Sequence, residues 1–150
     1  MDNAAKQPHG ENLRKGRVSL PNHIYLVTTV TASRKPVFAS FAAARAAARG
    51  FHDKNVSRHA KTMAFVVMPD HIHWLLQIEE GGKMSEAVRL YKAKVSVSLG
   101  QAVWQRGFYD HALRGDEDLR DVARYVIANP LRSGLVKSVG EYPHWDAIWL

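Results

Sequence analysis

The sequence predicts an α+β fold of the ferredoxin-like β-α-β-β-α-β kind, an antiparallel sheet covered by helices on one face and followed by one further helix. Three observations predict it. Short β-branched or alternating runs over 23–31, 62–68 and 72–78 read as strands. An alanine-rich stretch and a stripe of apolar residues at helical spacing read as the two helices between strands. The elements then succeed one another as strand, helix, strand, strand, helix, short strand, helix.

The first strand is HIYLVTTVT. Pro36 and FASFAAARAAARG follow it, a helix that Gly50 can end. The segments 62–68 and 72–78 are joined at Pro69-Asp70-His71, which is short enough for a hairpin. Beyond Gly81 and Gly82, the residues Met84, Val88, Tyr91, Val95 and Leu99 make one helical stripe. WQRGFYDHALR, 104–114, contains a short strand. Asp116 can cap the last helix, DEDLRDVARYVIANP, whose first turn is acidic and which Pro130 closes.

A length of 150 residues suits one domain, and neither linker nor repeat divides it. The expected organisation is a basic, flexible arm over 1–17 and one domain over 18–150. The arm lacks the apolar core of a signal peptide, and no apolar run reaches the length of a membrane span, so a cytoplasmic protein is expected. With no cysteine in the chain, disulfides and thiolate metal sites are excluded. The 21 Lys and Arg exceed the 14 Asp and Glu, giving a net charge of +7 that favours a polyanionic partner, nucleic acid first.

His71 and His73 stand one residue apart within VVMPDHIHWLLQI. Residues i and i+2 of a strand share a face, so the two imidazoles project together while Ile72 and Trp74 point into the covered side. Such a pair is either two polar residues on a wet face or one edge of a divalent-cation site. A metal there needs a further ligand. Asp70 is adjacent, but capping the turn explains it equally well. On the last helix the core stripe is Leu119, Val122, Ala123, Val126 and Ile127, and Tyr125 and Asn129 lie one turn apart on its flank. An Asn carbonyl can join two histidines on Mg²⁺ or Mn²⁺. A tyrosine one turn away can attack a phosphodiester held there, although its ordinary pKa near 10 makes it a weak nucleophile without activation. Alternatively, Tyr125 packs at the edge of the core and Asn129 ends a helix before proline. Tyr91 competes as nucleophile, but it occupies its helix's apolar stripe and Val95 follows it at i+4.

Taken together, MPDHIHWLLQI, WQRGFYDHALR, DLRDVARYVIANPLRSGLV and EYPHWDAIWL resemble the REP-associated tyrosine transposases, a branch of the IS200/IS605 single-strand transposase family. His71-Ile72-His73 matches its His-hydrophobic-His motif. Tyr125 stands where the branch carries its nucleophile, and Asn129 matches the polar third ligand. The resemblance implies a metal-dependent single-stranded DNA endonuclease and strand transferase, using Mg²⁺ or Mn²⁺. It implies recognition of repeat hairpins with a short flanking sequence, nicking by tyrosine attack, and a 5′-phosphotyrosine intermediate. Relatives act as monomers or as homodimers with the tyrosine helix exchanged. Candidate DNA contacts are Arg14, Lys15 and Arg17 in the arm, Lys92 and Lys94 on the long helix, Arg106 beside Trp104 and Phe108, and Arg132 with Lys137 after the tyrosine helix. His111 fits a recurrent Phe-x-x-His pattern as a possible auxiliary group or a structural histidine. Two other readings remain open: a relaxase- or replication-initiator-like nicking enzyme, and a non-catalytic nucleic-acid-binding protein on the same kind of sheet.

Overall fold

The computed structural model describes residues 23–114 and 119–147. The expected arm over 1–17 and the cap at Asp116 lie outside these residues. Five strands form one antiparallel sheet: β1 (Ile24–Val30), β2 (Ala60–Met68), β3 (His71–Ile78), β4 (Tyr109–Ala112) and β5 (Trp145–Ala147). Their order is β4-β1-β3-β2-β5, so β3 is inserted between β1 and β2, as the β-α-β-β-α-β pattern requires. The helices are α1 (Phe41–Gly50), α2 (Lys54–Ser57), α3 (Met84–Leu99), α4 (Leu119–Ile127) and α5 (Asn129–Arg132). No helix among the described residues is long and apolar enough to cross a membrane.

Strand parity sorts the sheet into two faces, both covered. On the first, Tyr25, Val27, Phe65, Val67, Ile72, Trp74 and Leu76 pack against α1 and α3, with Phe51 stacked on Phe65 and Tyr91 at 4.4 and 4.3 Å between ring centroids. Trp74 is fully buried, and its indole N–H donates to Thr62 Oγ1 at 3.0 Å. A wholly buried side chain of this kind contributes ~2–3 kcal/mol. On the second face, Leu26, Ala64, Val66, Met68 and Leu75 receive Val122, Ala123, Val126 and Ile127 of α4. The two helices of the β-α-β-β-α-β unit thus share one face, as expected, and the further helix α4, which has an apolar stripe of its own, is buried on the second.

Gly50 is the last residue of α1, as expected; a Cβ there would come 3.0 Å from the Tyr91 ring, and Phe51 is the C-cap. Two other local readings change. Pro130 does not close a helical course. It sits in the first turn of α5, where its missing N–H would have no helical partner. The strand β5 was not anticipated from EYPHWDAIWL. It pairs with β2 through Ala64↔Ala147 and Val66↔Trp145, while Val67 N–H donates to His144 O at 2.9 Å. The tail therefore covers the open edge of β2.

The loop from β3 to α3 depends on one close approach. A Cβ on Gly82 would lie 2.3 Å from the carbonyl oxygen of His59, which accepts from Glu79 N–H. Gly82→Ala should cost about 1–3 kcal/mol, because only backbone movement relieves the overlap. Gly140→Ala, where the added methyl meets nothing within 4 Å, should change stability by less than about 0.5 kcal/mol. Urea midpoints at unchanged slope measure both.

Candidate active site

The two histidines project from the start of β3 onto the face that α4 covers. Register places Val30 opposite His71, and Thr28 and Val66 on either side of His73. The rings lie 4.9 Å apart, edge to face. Each has its Nδ1 engaged. His71 Nδ1 is 2.8 Å from Asp70 Oδ1, and a carboxylate can only accept, so Nδ1 carries the proton and the lone pair is on Nε2. His73 Nδ1 is hydrogen bonded to Thr28 Oγ1 at 2.8 Å. Partners on Nδ1 of this kind orient imidazoles that ligate through Nε2.

Burial lowers the His71 pKa, outweighing the hydrogen bond and charge of Asp70. His73 is pushed down to about 3, by burial first and then by the nearby charges of His71 and Arg132. Both rings are therefore neutral near pH 7, the state in which imidazole binds a metal. Burial works to raise the Asp70 carboxyl, but the His71 hydrogen bond and the charges of His71 and Arg34 hold it below its ordinary value. Asp70 is not a cap for its turn. Its side chain bridges His71 and Arg34, the latter at 3.1 Å, and its carbonyl accepts from Thr31 N–H and Oγ1.

The break after α4 brings the other polar groups to this point. Ala128 carries φ −83° and ψ 0°, and α5 starts at Asn129. The Asn129 side-chain nitrogen lies 3.5 Å from His71 Nε2, and Ser133 Oγ donates to Asn129 Oδ1 at 3.3 Å. Rotating the amide by half a turn would aim its carbonyl oxygen at His71 while Ser133, able to donate or accept, keeps its bond. Two neutral Nε2 atoms and one amide oxygen fit a divalent cation that takes its remaining ligands from substrate oxygens. Among the described residues no group of three or more His, Cys, Asp and Glu side chains could hold a metal, so the amide is integral to that fit.

Tyr125 is 41% exposed on α4, one turn before Asn129. The Arg132 guanidinium lies over its ring, 3.7 Å from the centroid, and Nη1 donates to Tyr125 O at 2.6 Å. Tyr91 is on the other side of the sheet, fully buried, donating to Ala47 O at 3.0 Å, with its ionisation pushed well above the usual tyrosine range by burial.

The remaining candidates are placed apart from this cluster. Lys92 is turned inward, donating to the carbonyls of Gln105 and Gly107 at 2.8 and 2.9 Å, and Lys94 pairs with Asp53 at 3.7 Å. Both belong to α3, on the face opposite the histidines, where Lys92 braces the approach to β4. Arg106 lines a cavity of about 420 Å³ with Glu86, Arg89, Lys92 and Phe108. Trp104 donates to Lys92 O and packs near Phe38 and Tyr91, and Phe108 is buried, so both aromatics frame β4. His111 is on the histidine face, opposite Leu26, roughly 12 Å from His73 by strand spacing. Lys137 is exposed beyond α5. Arg14, Lys15 and Arg17 lie outside the described residues. Sequence reasoning missed Thr28, Arg34 and Ser133. Only Ser133 had a local signal, four residues after Asn129; the others depend on register between strands.

Residues 19–129 match the family described as transposase IS200 like, a span that takes in the histidine strand and the tyrosine helix as far as Asn129; the chain belongs to that family. Within it the likeness is to REP-associated tyrosine transposases. The chain is 34% identical over 82 residues to the REP-associated tyrosine transposase of Escherichia coli K12, covering 53% of this chain and 50% of that protein. A Haemophilus influenzae relative is 29% identical over 101 residues, covering 56% and 57% of the two chains. The chain thus spans about half the length of the curated relatives it matches. A solved REP-associated tyrosine transposase bound to a REP hairpin superposes with a TM-score of 0.70 at 25% identity, over 86% of this chain and 79% of that one. A crystal structure of a transposase-like protein from Deinococcus radiodurans shares the fold, with a TM-score of 0.50 at 21% identity, over 77% and 95%.

The half-buried histidines give the metal-free protein a defined pH response. A folded-state pKa of about 3 for His73 lies below its unfolded value near 6.5, so the unfolded chain binds more protons between those values. Stability is full above pH 6.5 and is lost as pH falls toward 3, by an amount on the order of a few kcal/mol. Urea unfolding in EDTA between pH 4.5 and 7 should show this loss in the wild type and a shallower one in His73→Gln.

Proposed function

We propose that the protein is a metal-dependent single-stranded DNA endonuclease and strand transferase that recognises repeat hairpins, with Tyr125 as nucleophile and His71, His73 and Asn129 as metal ligands. The observation that carries the reading is the approach of Asn129, on the helical course that bears Tyr125, to the free Nε2 of His71. Membership of a generally metal-dependent family and likeness to a hairpin-bound relative support it from outside the chain. Since α4 packs on the sheet of its own chain, we propose that one chain furnishes the whole site, whether or not it dimerises. It would act in the cytoplasm, associated with the nucleoid when bound to DNA.

In this reading the Tyr125 phenolic oxygen bonds to the scissile phosphorus as the bond from phosphorus to the 3′ oxygen breaks. The downstream segment is held through its 5′ phosphate as a phosphotyrosine, and the upstream segment ends in a 3′-hydroxyl. The covalent bond keeps the energy of the phosphodiester, so reversal at a new 3′-hydroxyl needs no nucleotide cofactor. A bound Mg²⁺ or Mn²⁺ would polarise the phosphoryl group. His71 and His73 supply neutral nitrogens already oriented by Asp70 and Thr28, so little reorganisation is needed on loading. Arg132, Lys137, Arg106 and, outside the described residues, Arg14, Lys15 and Arg17 are proposed to contact the DNA backbone. Neither Lys92 nor Lys94 is retained in that role, because α3 packs on the sheet face opposite the histidines.

The experiment combines the purified protein, Mn²⁺ and an end-labelled single-stranded hairpin with its flanking sequence, and looks for an adduct that survives denaturant. Tyr125→Phe should abolish the adduct, and EDTA should do the same. Tyr91→Phe should still form it, with stability lowered by about 1 kcal/mol for the lost buried hydrogen bond. An adduct lost only in Tyr91→Phe would overturn the assignment, and a wild type that binds the hairpin without any adduct would make it a non-catalytic binder. His71→Ala and His73→Ala should each reduce cleavage at least tenfold while hairpin affinity, spread over many phosphate contacts, changes far less. Gel shift and cleavage assays on the same preparations separate the two effects.

A further inference from the structure

Arg132 is held in a way that an ordinary phosphate-contacting arginine is not. Its guanidinium carbon lies over the Tyr125 ring, 3.7 Å from the centroid, while Nη1 donates to the Tyr125 carbonyl at 2.6 Å. The ring contact and the hydrogen bond hold the guanidinium from two sides. Such a grip depends on backbone geometry: α5 turns directly after Asn129, with Arg132 N–H donating to Ala128 O and Ser133 N–H to Asn129 O. The same turn thus returns one side chain to Tyr125 and another to Asn129. Arg132 is exposed, and it stands in the same short helix as Asn129, whose amide lies 3.5 Å from His71 Nε2.

We propose that Arg132 is a second catalytic group of this site, clamping the Tyr125 ring and presenting its remaining N–H groups to a non-bridging oxygen of the phosphate that Tyr125 attacks. This rests on the reading of Tyr125 as nucleophile. A planar fork of donors suits the role, because one edge can serve the protein backbone while another meets phosphate oxygens. A lysine at this position would carry the charge, but its ammonium could not lie flat on the ring or offer a planar pair of donors to phosphate. In the step itself the phenolic oxygen forms its bond to phosphorus and loses its proton to solvent. The bond to the 3′ oxygen breaks, and that oxygen takes up a proton as a hydroxyl. Negative charge gathers on the non-bridging oxygens as the phosphorus is attacked, where the guanidinium stabilises it.

The test measures single-turnover adduct formation with Mn²⁺ and a single-stranded hairpin oligonucleotide, alongside hairpin affinity, for wild type, Arg132→Ala, Arg132→Lys and Tyr125→Phe. Arg132→Ala should slow adduct formation by about 10²-fold, a far larger factor than its loss of hairpin affinity. Arg132→Lys should recover only part of the rate, and it guards against a merely misfolded alanine variant. Guanidinium ion added below denaturing concentration should speed Arg132→Ala and leave Tyr125→Phe inactive. An Arg132→Ala protein as fast as wild type, or one whose rate and hairpin affinity fall by the same factor without guanidinium rescue, would overturn the inference while Tyr125→Phe stays inactive. An adduct still formed by Tyr125→Phe would instead overturn the nucleophile itself, and the proposal for Arg132 with it.

Discussion

The register of β3 is the constraint on which the rest of the molecule depends. Its side chains alternate between two buried faces, with Ile72, Trp74 and Leu76 on one and His71, His73 and Leu75 on the other. A slip of one residue would bring both imidazoles among the aromatic rings around Phe51 and move Trp74 beneath α4. Trp74 opposes such a slip through its complete burial and its bond to Thr62. The packing that stabilises the fold thus also decides which way the histidines face, and Thr28 meets His73 only in this register.

Much of the fold could be read from the sequence because its signals were periodic and local. The three long strands, the alanine-rich helix and the Met84 to Leu99 stripe all follow from spacing, and the structure differs at their ends by at most three residues. What could not be read depended on pairing at a distance. Trp145 to Ala147 is too short to announce itself as a strand and exists because β2 offers an open edge. The placement of α4 on the second face follows from Leu26, Val66, Met68 and Leu75 being apolar on strands whose other side is apolar too, a case in which alternation loses its contrast.

The candidate site divides in the same way. His71 and His73 were visible as a pair because two residues in a strand share a face, and Tyr125 and Asn129 because four residues in a helix make one turn. Their approach to each other was legible only through resemblance to a family, since nothing local relates β3 to a helix some fifty residues later. The lysines of α3 illustrate the converse. As sequence, Lys92 is a cation on a helix of a basic protein. In the fold it is a half-buried ammonium satisfied by two carbonyls, and only the path of residues 104–108 decides which.

The electrostatics of the site have a direction. Two imidazoles are kept neutral by burial, and the Asp70 carboxylate is committed to His71 and Arg34. Arg132 adds positive charge on the open side. Among the described residues no further carboxylate joins this cluster, so a metal held by the proposed neutral donors would keep most of its charge and favour an anion next to it. A phosphodiester can supply that anion. In the proposed reading, ion and DNA strand would bind with mutual reinforcement, coupling of the ordinary thermodynamic kind: whatever factor the strand adds to metal affinity, the metal would add to the affinity of the strand. A ligand set richer in carboxylates would hold the ion more tightly without DNA and give up that linkage.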